Sequence, residues 1–178
     1  MKTQPLIFIL TLIIVAGCAN QAETQQTTEN SQTIKQLIIT SPAFQNNTEI
    51  FQKHTCKGIE INPELNIEGI PPETKSLAII VDDPDAAFRP FTHWLVWNIK
   101  PTNMISENSV PGTQGTNDFG VAFYKGPCPP MGTHHYYFKV YALDTMLELQ
   151  EGAKKSQLEK AMQGHILAKG ETVAIFIK

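Results

Sequence analysis

Between Gly126 and Gly132 the chain reads Gly-Pro-Cys-Pro-Pro-Met-Gly, and it runs at once into Thr133-His134-His135-Tyr136-Tyr137-Phe138. Proline fixes its own φ and has no amide to donate, so this stretch is a loop, and the residues after it have strand character. A loop that opens directly onto histidine and tyrosine predicts a pocket wall rather than packing. The same imidazole and carboxylate chemistry lies upstream, in Asp83-Pro84-Asp85 and in His93-Trp94-Leu95-Val96-Trp97-Asn98. Two segments far apart in sequence are therefore expected to meet.

Strand character recurs in Ile34–Thr40, Leu77–Val81, His93–Ile99, Val121–Tyr124, Tyr136–Leu143 and Thr172–Ile177, separated by turns rich in Pro, Gly and Asn. One segment, Ser156–Lys169, reads as a helix. Ser156 and Glu159 fit a capping box, Leu158, Ala161, Met162, His165 and Ile166 share a face, and Gly170 stops it. Short strands without helices between them predict a mainly β domain, an antiparallel β-sandwich with peripheral helices. Alternation places His134, Tyr136 and Phe138 on one face and His135 and Tyr137 on the other, so only one of the paired histidines faces the pocket. The same rule sets His93, Leu95 and Trp97 against Trp94, Val96 and Asn98, and puts Asp83 and Asp85 on one side around Pro84. Trp94, Trp97, Phe138 and Tyr141 are read as core aromatics.

The first residues, Met1-Lys2-Thr3, lead into an apolar run from Leu6 to Val15 that is short for a bilayer span, followed by Ala16-Gly17-Cys18. This resembles a bacterial lipobox, which implies a signal peptide over residues 1–17 and an acylated Cys18 at the mature N-terminus. Acyl chains contribute about 0.8 kcal/mol per buried methylene, so a multiply acylated cysteine holds a protein stably on a membrane. Ala19 lacks the aspartate that favours inner-membrane retention, so the expected address is the cell envelope facing the periplasm or exterior, at the outer membrane in a Gram-negative cell. Residues 18–33 are almost wholly polar and read as a flexible tether. Residues 34–178 remain for one globular domain. The net charge of −3 contains no basic run, which excludes a nucleic-acid partner.

With Cys18 taken, Cys56 and Cys128 are left. In an oxidising compartment two such cysteines pair as a disulfide or stay as buried thiols, and both outcomes are open at this level.

Asp83-Pro84-Asp85-Ala86 with His93-Trp94, the segment Gly126 to Phe138, Gly115-Thr116-Asn117-Asp118-Phe119-Gly120, Tyr141-Ala142-Leu143-Asp144 and Gly164-His165-Ile166-Leu167-Ala168 together resemble the phosphatidylethanolamine-binding protein family, in its bacterial Raf-kinase-inhibitor-like branch. The resemblance covers nearly all of the domain. It implies a β-sandwich, and it places Asp83, Asp85, His93, His134 and Tyr136 around a small cavity for phosphate-like or acetate-like anions, with Gly126, Pro130 and Gly132 shaping the rim. Ala87 stands where the family has proline, His135 where it has arginine, and Glu171–Lys178 are atypical of the branch.

An anion beside Asp83 and Asp85 is repelled unless those carboxylates are paired, so their expected role is to orient His93 and His134 and favour the imidazolium. Anion binding is then expected to strengthen as pH falls through the histidine range. The function expected is non-catalytic: a binding protein with a pocket for phosphate, a phospholipid headgroup or an acidic side chain of a protein partner, membrane-held through its lipid anchor. No cofactor is expected, and the oligomeric state, a homodimer included, stays open. The alternatives are an inhibitor of a protease or kinase acting through a surface loop such as Pro101–Thr116, or an enzyme using Cys128 with His134, or a metal on the aspartates and histidines.

Overall fold

Apolar runs such as Leu77-Ala78-Ile79-Ile80-Val81 are buried along their whole length, which requires cover on both faces of the sheet that holds them. The computed structural model describes residues 33–178; the signal peptide, Cys18 and the tether expected over residues 1–33 lie outside the described residues except for Thr33. The elements are β1 (Lys35–Gln36), β2 (Ile38–Thr40), β3 (Thr48–Glu49), a 3-10 turn (Gln52–His54), β4 (Leu65–Glu68), β5 (Ser76–Asp83), β6 (Phe91–Ile99), β7 (Met104–Ile105), β8 (Thr113–Gln114), β9 (Thr133–Leu143), α1 (Lys155–Met162) and β10 (Ile166–Ile177). Among the described residues, no helix is long and apolar enough to cross a membrane.

The chain is mainly β. The larger sheet has the order β1-β10-β9-β5-β6-β8, with β3 also pairing β10, and the smaller has the order β2-β4-β7. The central pairs β10–β9, β9–β5 and β5–β6 are antiparallel, but β1 and β3 run parallel to β10, so the larger sheet is mixed and not antiparallel throughout as expected. One apolar core joins Leu77, Ile79, Val81, Trp94, Phe138 and Val140 of the larger sheet to Ile39, Leu65, Ile67 and Ile105 of the smaller. On the other face Ala78, Ile80, Leu95 and Trp97 pack with Leu147, Leu158 and Met162, so α1 covers that side.

Five expectations of local structure are corrected. Ile34–Thr40 is two strands: β1 pairs with β10 and β2 with β4, and buried Leu37 lies where the chain changes sheet. Val121–Tyr124 is not a strand, because the Asn117 side chain holds this segment in place of a neighbouring strand. Its Oδ1 accepts the Phe119 and Val121 amides, and its Nδ2 donates to the His93 and Phe123 carbonyls. The helix ends at Met162, and Ile166 to Lys169 belong to β10, where pairing with β9 overrides the helical spacing of their apolar residues. Gly170 therefore stops no helix; a Cβ there would lie 2.3 Å from the Leu37 carbonyl oxygen, and glycine lets that strand approach. At the helix start, Gln157 Oε1 accepts the Lys154 amide at 2.9 Å, so the capping contact falls two residues earlier than the Ser156–Glu159 pair.

Candidate functional site

The end of β5, the start of β6, the start of β9 and the loop before β9 converge on a cavity of about 710 Å³. Asp83, Asp85, His93 and His134 line it, so the two segments singled out in the sequence do meet. Pro130 lines it too. Gly126 sits behind the wall, where a Cβ would lie 2.3 Å from the His54 carbonyl oxygen; Gly132 turns the chain into β9 with φ +75° and has open space around it. Tyr136 is fully buried beneath the lining residues, with its ring edge-on to His93 at 5.1 Å between centroids.

His93 reaches this place through an irregularity. Val81 pairs with Trp94 and Asp82 with Thr92, so His93 has no partner on β5 and forms a bulge. The bulge reverses the alternation. His93 accordingly joins Tyr136 and Asp83 at the cavity instead of sharing a face with Leu95 and Trp97, which corrects the facing expected from strict period two. Thr92 turns to the opposite face, where its hydroxyl lies 3.2 Å from Asp82 Oδ1.

The hydrogen bonds fix the ring orientations. His134 Nδ1 lies 2.7 Å from Asp83 Oδ2, and Asp83 Oδ1 accepts the Asp85 amide at 2.9 Å. His93 Nδ1 donates to the Lys125 carbonyl at 2.8 Å. Asp85 is turned to the outer side of β9, where Oδ2 accepts both the His135 amide at 2.8 Å and His135 Nδ1 at 2.7 Å. Thus Asp83 orients His134 as expected, whereas Asp85 orients His135 and a backbone carbonyl orients His93. His135, on the other face of β9, does not line the cavity.

Burial pushes the His93 imidazole below its ordinary 6.5, and the Lys125 carbonyl and the Asp83 charge do not offset it. His93 therefore resists protonation, opposite in direction to the expectation that its carboxylate neighbours favour the imidazolium. Burial acts on Asp85 in the opposite sense from its hydrogen bonds, and the His135 ring and amide outweigh it, leaving that carboxyl below the usual range. Burial, then the Asp83 charge, drives the Tyr136 hydroxyl far above its usual value, so it stays protonated; its oxygen is buried with no hydrogen-bond partner among the described residues.

The rim is apolar. Phe88, Phe91, Phe119, Pro129 and Met131 surround the polar floor, and Phe88 and Met131 are largely exposed. Arg89 also lines the mouth, but its guanidinium is held by both Asp118 oxygens at 2.9 and 2.8 Å. Pro129 and Met131 lie in the loop expected to form the wall, whereas Phe88, Arg89, Phe91 and Phe119 were not expected among the lining. Phe91 was findable, since it stands two before His93; Arg89 and Phe119 meet only through the fold.

Cys56 and Cys128 form a disulfide, and Cys128 is part of the cavity wall. The Cys56 amide also donates to the Pro127 carbonyl at 3.1 Å, so the proline loop is fastened to the 3-10 segment twice. Among the described residues, no three His, Cys, Asp or Glu side chains are grouped to hold a metal ion.

Fold and cavity together define a mainly β protein with one buried imidazole–carboxylate floor under an apolar mouth. The chain belongs to the phosphatidylethanolamine-binding protein family, whose sequence profile matches residues 40–177. It is 45% identical over 188 residues to a UPF0098 protein of Pyrococcus horikoshii, spanning 99% of this chain and 90% of that one. Its structure is similar to that of a phosphatidylethanolamine-binding protein homologue of Chlamydia trachomatis, with TM-score 0.78 and 38% identity over 81% of this chain and 99% of the other. Escherichia coli YbcL, a member of the same family, aligns with TM-score 0.74 and 28% identity over 80% and 99%.

Proposed function

We propose that this protein is a non-catalytic binding protein whose cavity takes a small oxyanion: phosphate, the headgroup of a phospholipid or an acidic side chain of a protein partner. The observation that carries the reading is the Asp83–His134 pair beside His93 on the lining of one cavity, with the Tyr136 ring buried behind it. The loop amides of Cys128 and Met131 are donors for anionic oxygens, and an imidazole becomes one on protonation. Binding then strengthens on acidification. The disulfide leaves neither Cys56 nor Cys128 as a thiol nucleophile, which favours binding over cysteine chemistry.

The domain is exported and held at the membrane by an acylated Cys18 after removal of residues 1–17, a reading supported by the lipobox-like sequence and by a disulfide suited to an oxidising compartment. Two sheets sharing one core support a sandwich, and the chain's pattern of motifs supports the Raf-kinase-inhibitor-like branch. Calorimetric titration with phosphate and phosphoethanolamine tests the pocket. Saturable binding that is lost in His134→Ala and kept in His135→Ala supports it; absence of binding in the unsubstituted protein at acid and neutral pH sinks it.

A further inference from the structure

The floor of the cavity is built of acceptors. A carbonyl oxygen only accepts, so the proton of neutral His93 is on Nδ1, facing Lys125, and Nε2 carries a lone pair. Asp83 accepts at both oxygens, from the Asp85 amide and from His134 Nδ1, which likewise leaves His134 Nε2 with a lone pair while the ring is neutral. The charged groups around the rings do not reverse this. Asp83 faces them from β5 and Tyr136 from β9, while Asp85, in the loop after β5, is turned to His135 and Asp82 lies on the opposite face of the sheet; among the described residues the one cation lining the mouth, Arg89, is taken by Asp118. Burial of His93 supports a neutral ring. A bare dianion entering here meets lone pairs and carboxylates with few donors.

We propose that the cavity selects oxyanions that bring their own O–H, such as hydrogen phosphate or the monoanion of a phosphate monoester, over anions of similar shape without one, such as sulfate and phosphate diesters. This rests on the anion-binding reading above and specifies its ligand class. The ligand hydroxyl donates to an imidazole Nε2 or to Asp83. An anion without the proton leaves a buried acceptor opposed to its negative oxygen, and sites built around a ligand hydroxyl discriminate strongly against analogues lacking it.

Hydrogen phosphate and sulfate are both dianions in mildly alkaline buffer, so comparing them isolates the O–H from the charge. Full-length protein is titrated by calorimetry with inorganic phosphate, sulfate and dimethyl phosphate at about pH 8 and about pH 5.5, and phosphate is expected to bind at least about tenfold more tightly than either at the higher pH. Sulfate or dimethyl phosphate within tenfold of phosphate at the higher pH overturns the selectivity and leaves the anion site standing, as does binding of all three only in acid. No binding of any of them at either pH overturns the anion site and this proposal with it. In Asp83→Asn an amide replaces an acceptor, and the preference for phosphate is expected to shrink; should that variant not fold, the ratio in the unsubstituted protein decides alone.

Discussion

His134 and Asp83 are joined through Nδ1 and Oδ2 at 2.7 Å with Asp83 buried and the His134 side chain 12% exposed, while the adjacent His135 makes the same contact to Asp85 in the open, each side chain 41% exposed. Identical chemistry is thus placed in two environments by the alternation of one strand. Removal of the Asp83 carboxylate leaves the His134 N–H and the Asp85 amide without acceptors. Asp83→Ala is expected to lower stability by about 2–3 kcal/mol, and Asp85→Ala by well under half of that, because water replaces the lost contact. Urea unfolding of the two variants measures the difference, and equal losses would contradict the burial argument.

Two histidines resist protonation in the folded chain. Burial lowers both His93 and His54 from 6.5, and the carbonyls of Lys125 and Ile61 only partly oppose it. The unfolded chain therefore binds protons that the folded chain refuses, and stability falls as pH drops through 6.5 toward the lower folded values. The urea midpoint is expected to decline across this window. A second decline follows in stronger acid, where Asp85 and Asp118, held below 3.8 in the fold, are finally protonated. A midpoint that stays flat from neutral pH to about pH 5 counts against the first step.

The disulfide closes a loop of 72 residues, for which chain entropy alone gives an upper figure of about 4 kcal/mol. Replacing both cysteines with serine is expected to lower stability by about 2–4 kcal/mol and to weaken phosphate binding, since Cys128 is wall material. Thermal unfolding and calorimetry read the two effects. Unchanged affinity in a destabilised variant would show that the wall holds its shape without the bridge.

Gly126 is exchanged for alanine only at the cost of moving a wall. The added Cβ would lie 2.3 Å from the His54 carbonyl oxygen and 2.8 Å from Thr55 Cα, both backbone atoms. Gly126→Ala is expected to cost about 1–3 kcal/mol by overpacking and to shift the loop that carries Pro129 and Pro130. Gly132→Ala, with free space around it but φ +75°, pays only backbone strain of about 1 kcal/mol. Similar losses in both would mean that the 3-10 segment yields easily.

Much of the site was legible in the sequence, and the failures have a common cause. Strand alternation correctly separated His134 from His135, because β9 pairs regularly over that stretch. It failed at His93, because an inserted residue in β6 leaves no composition signal and only pairing with β5 exposes it. Gly170 looked like a helix stop because glycine has more than one use, and its real use is a close approach to Leu37. The two-residue strands β3, β7 and β8 are too short to show a period and exist only through their neighbours. Arg89 and Asp118, 29 residues apart, likewise depend on the folded loops for their contact.

Asp82 gives the sharpest test of how the sheet carries α1. It is one residue from Asp83 and points to the opposite face, where its side chain is 2% exposed and Oδ2 takes Lys155 at 2.7 Å and Lys139 at 3.2 Å. Lys155 begins α1, so this one carboxylate ties the helix to the centre of the larger sheet. A buried acid with two partly buried cations is stable only as a set, and removing the acid leaves like charges facing each other. Asp82→Ala is expected to lose about 3–5 kcal/mol, whereas Lys155→Ala leaves Lys139 in place and loses about 1 kcal/mol. Hydrogen exchange should show the Asp82→Ala loss first in the amides of α1, with those of β9 opening later. Uniform exchange across both elements would mean that the helix is held by Leu158 and Met162 alone.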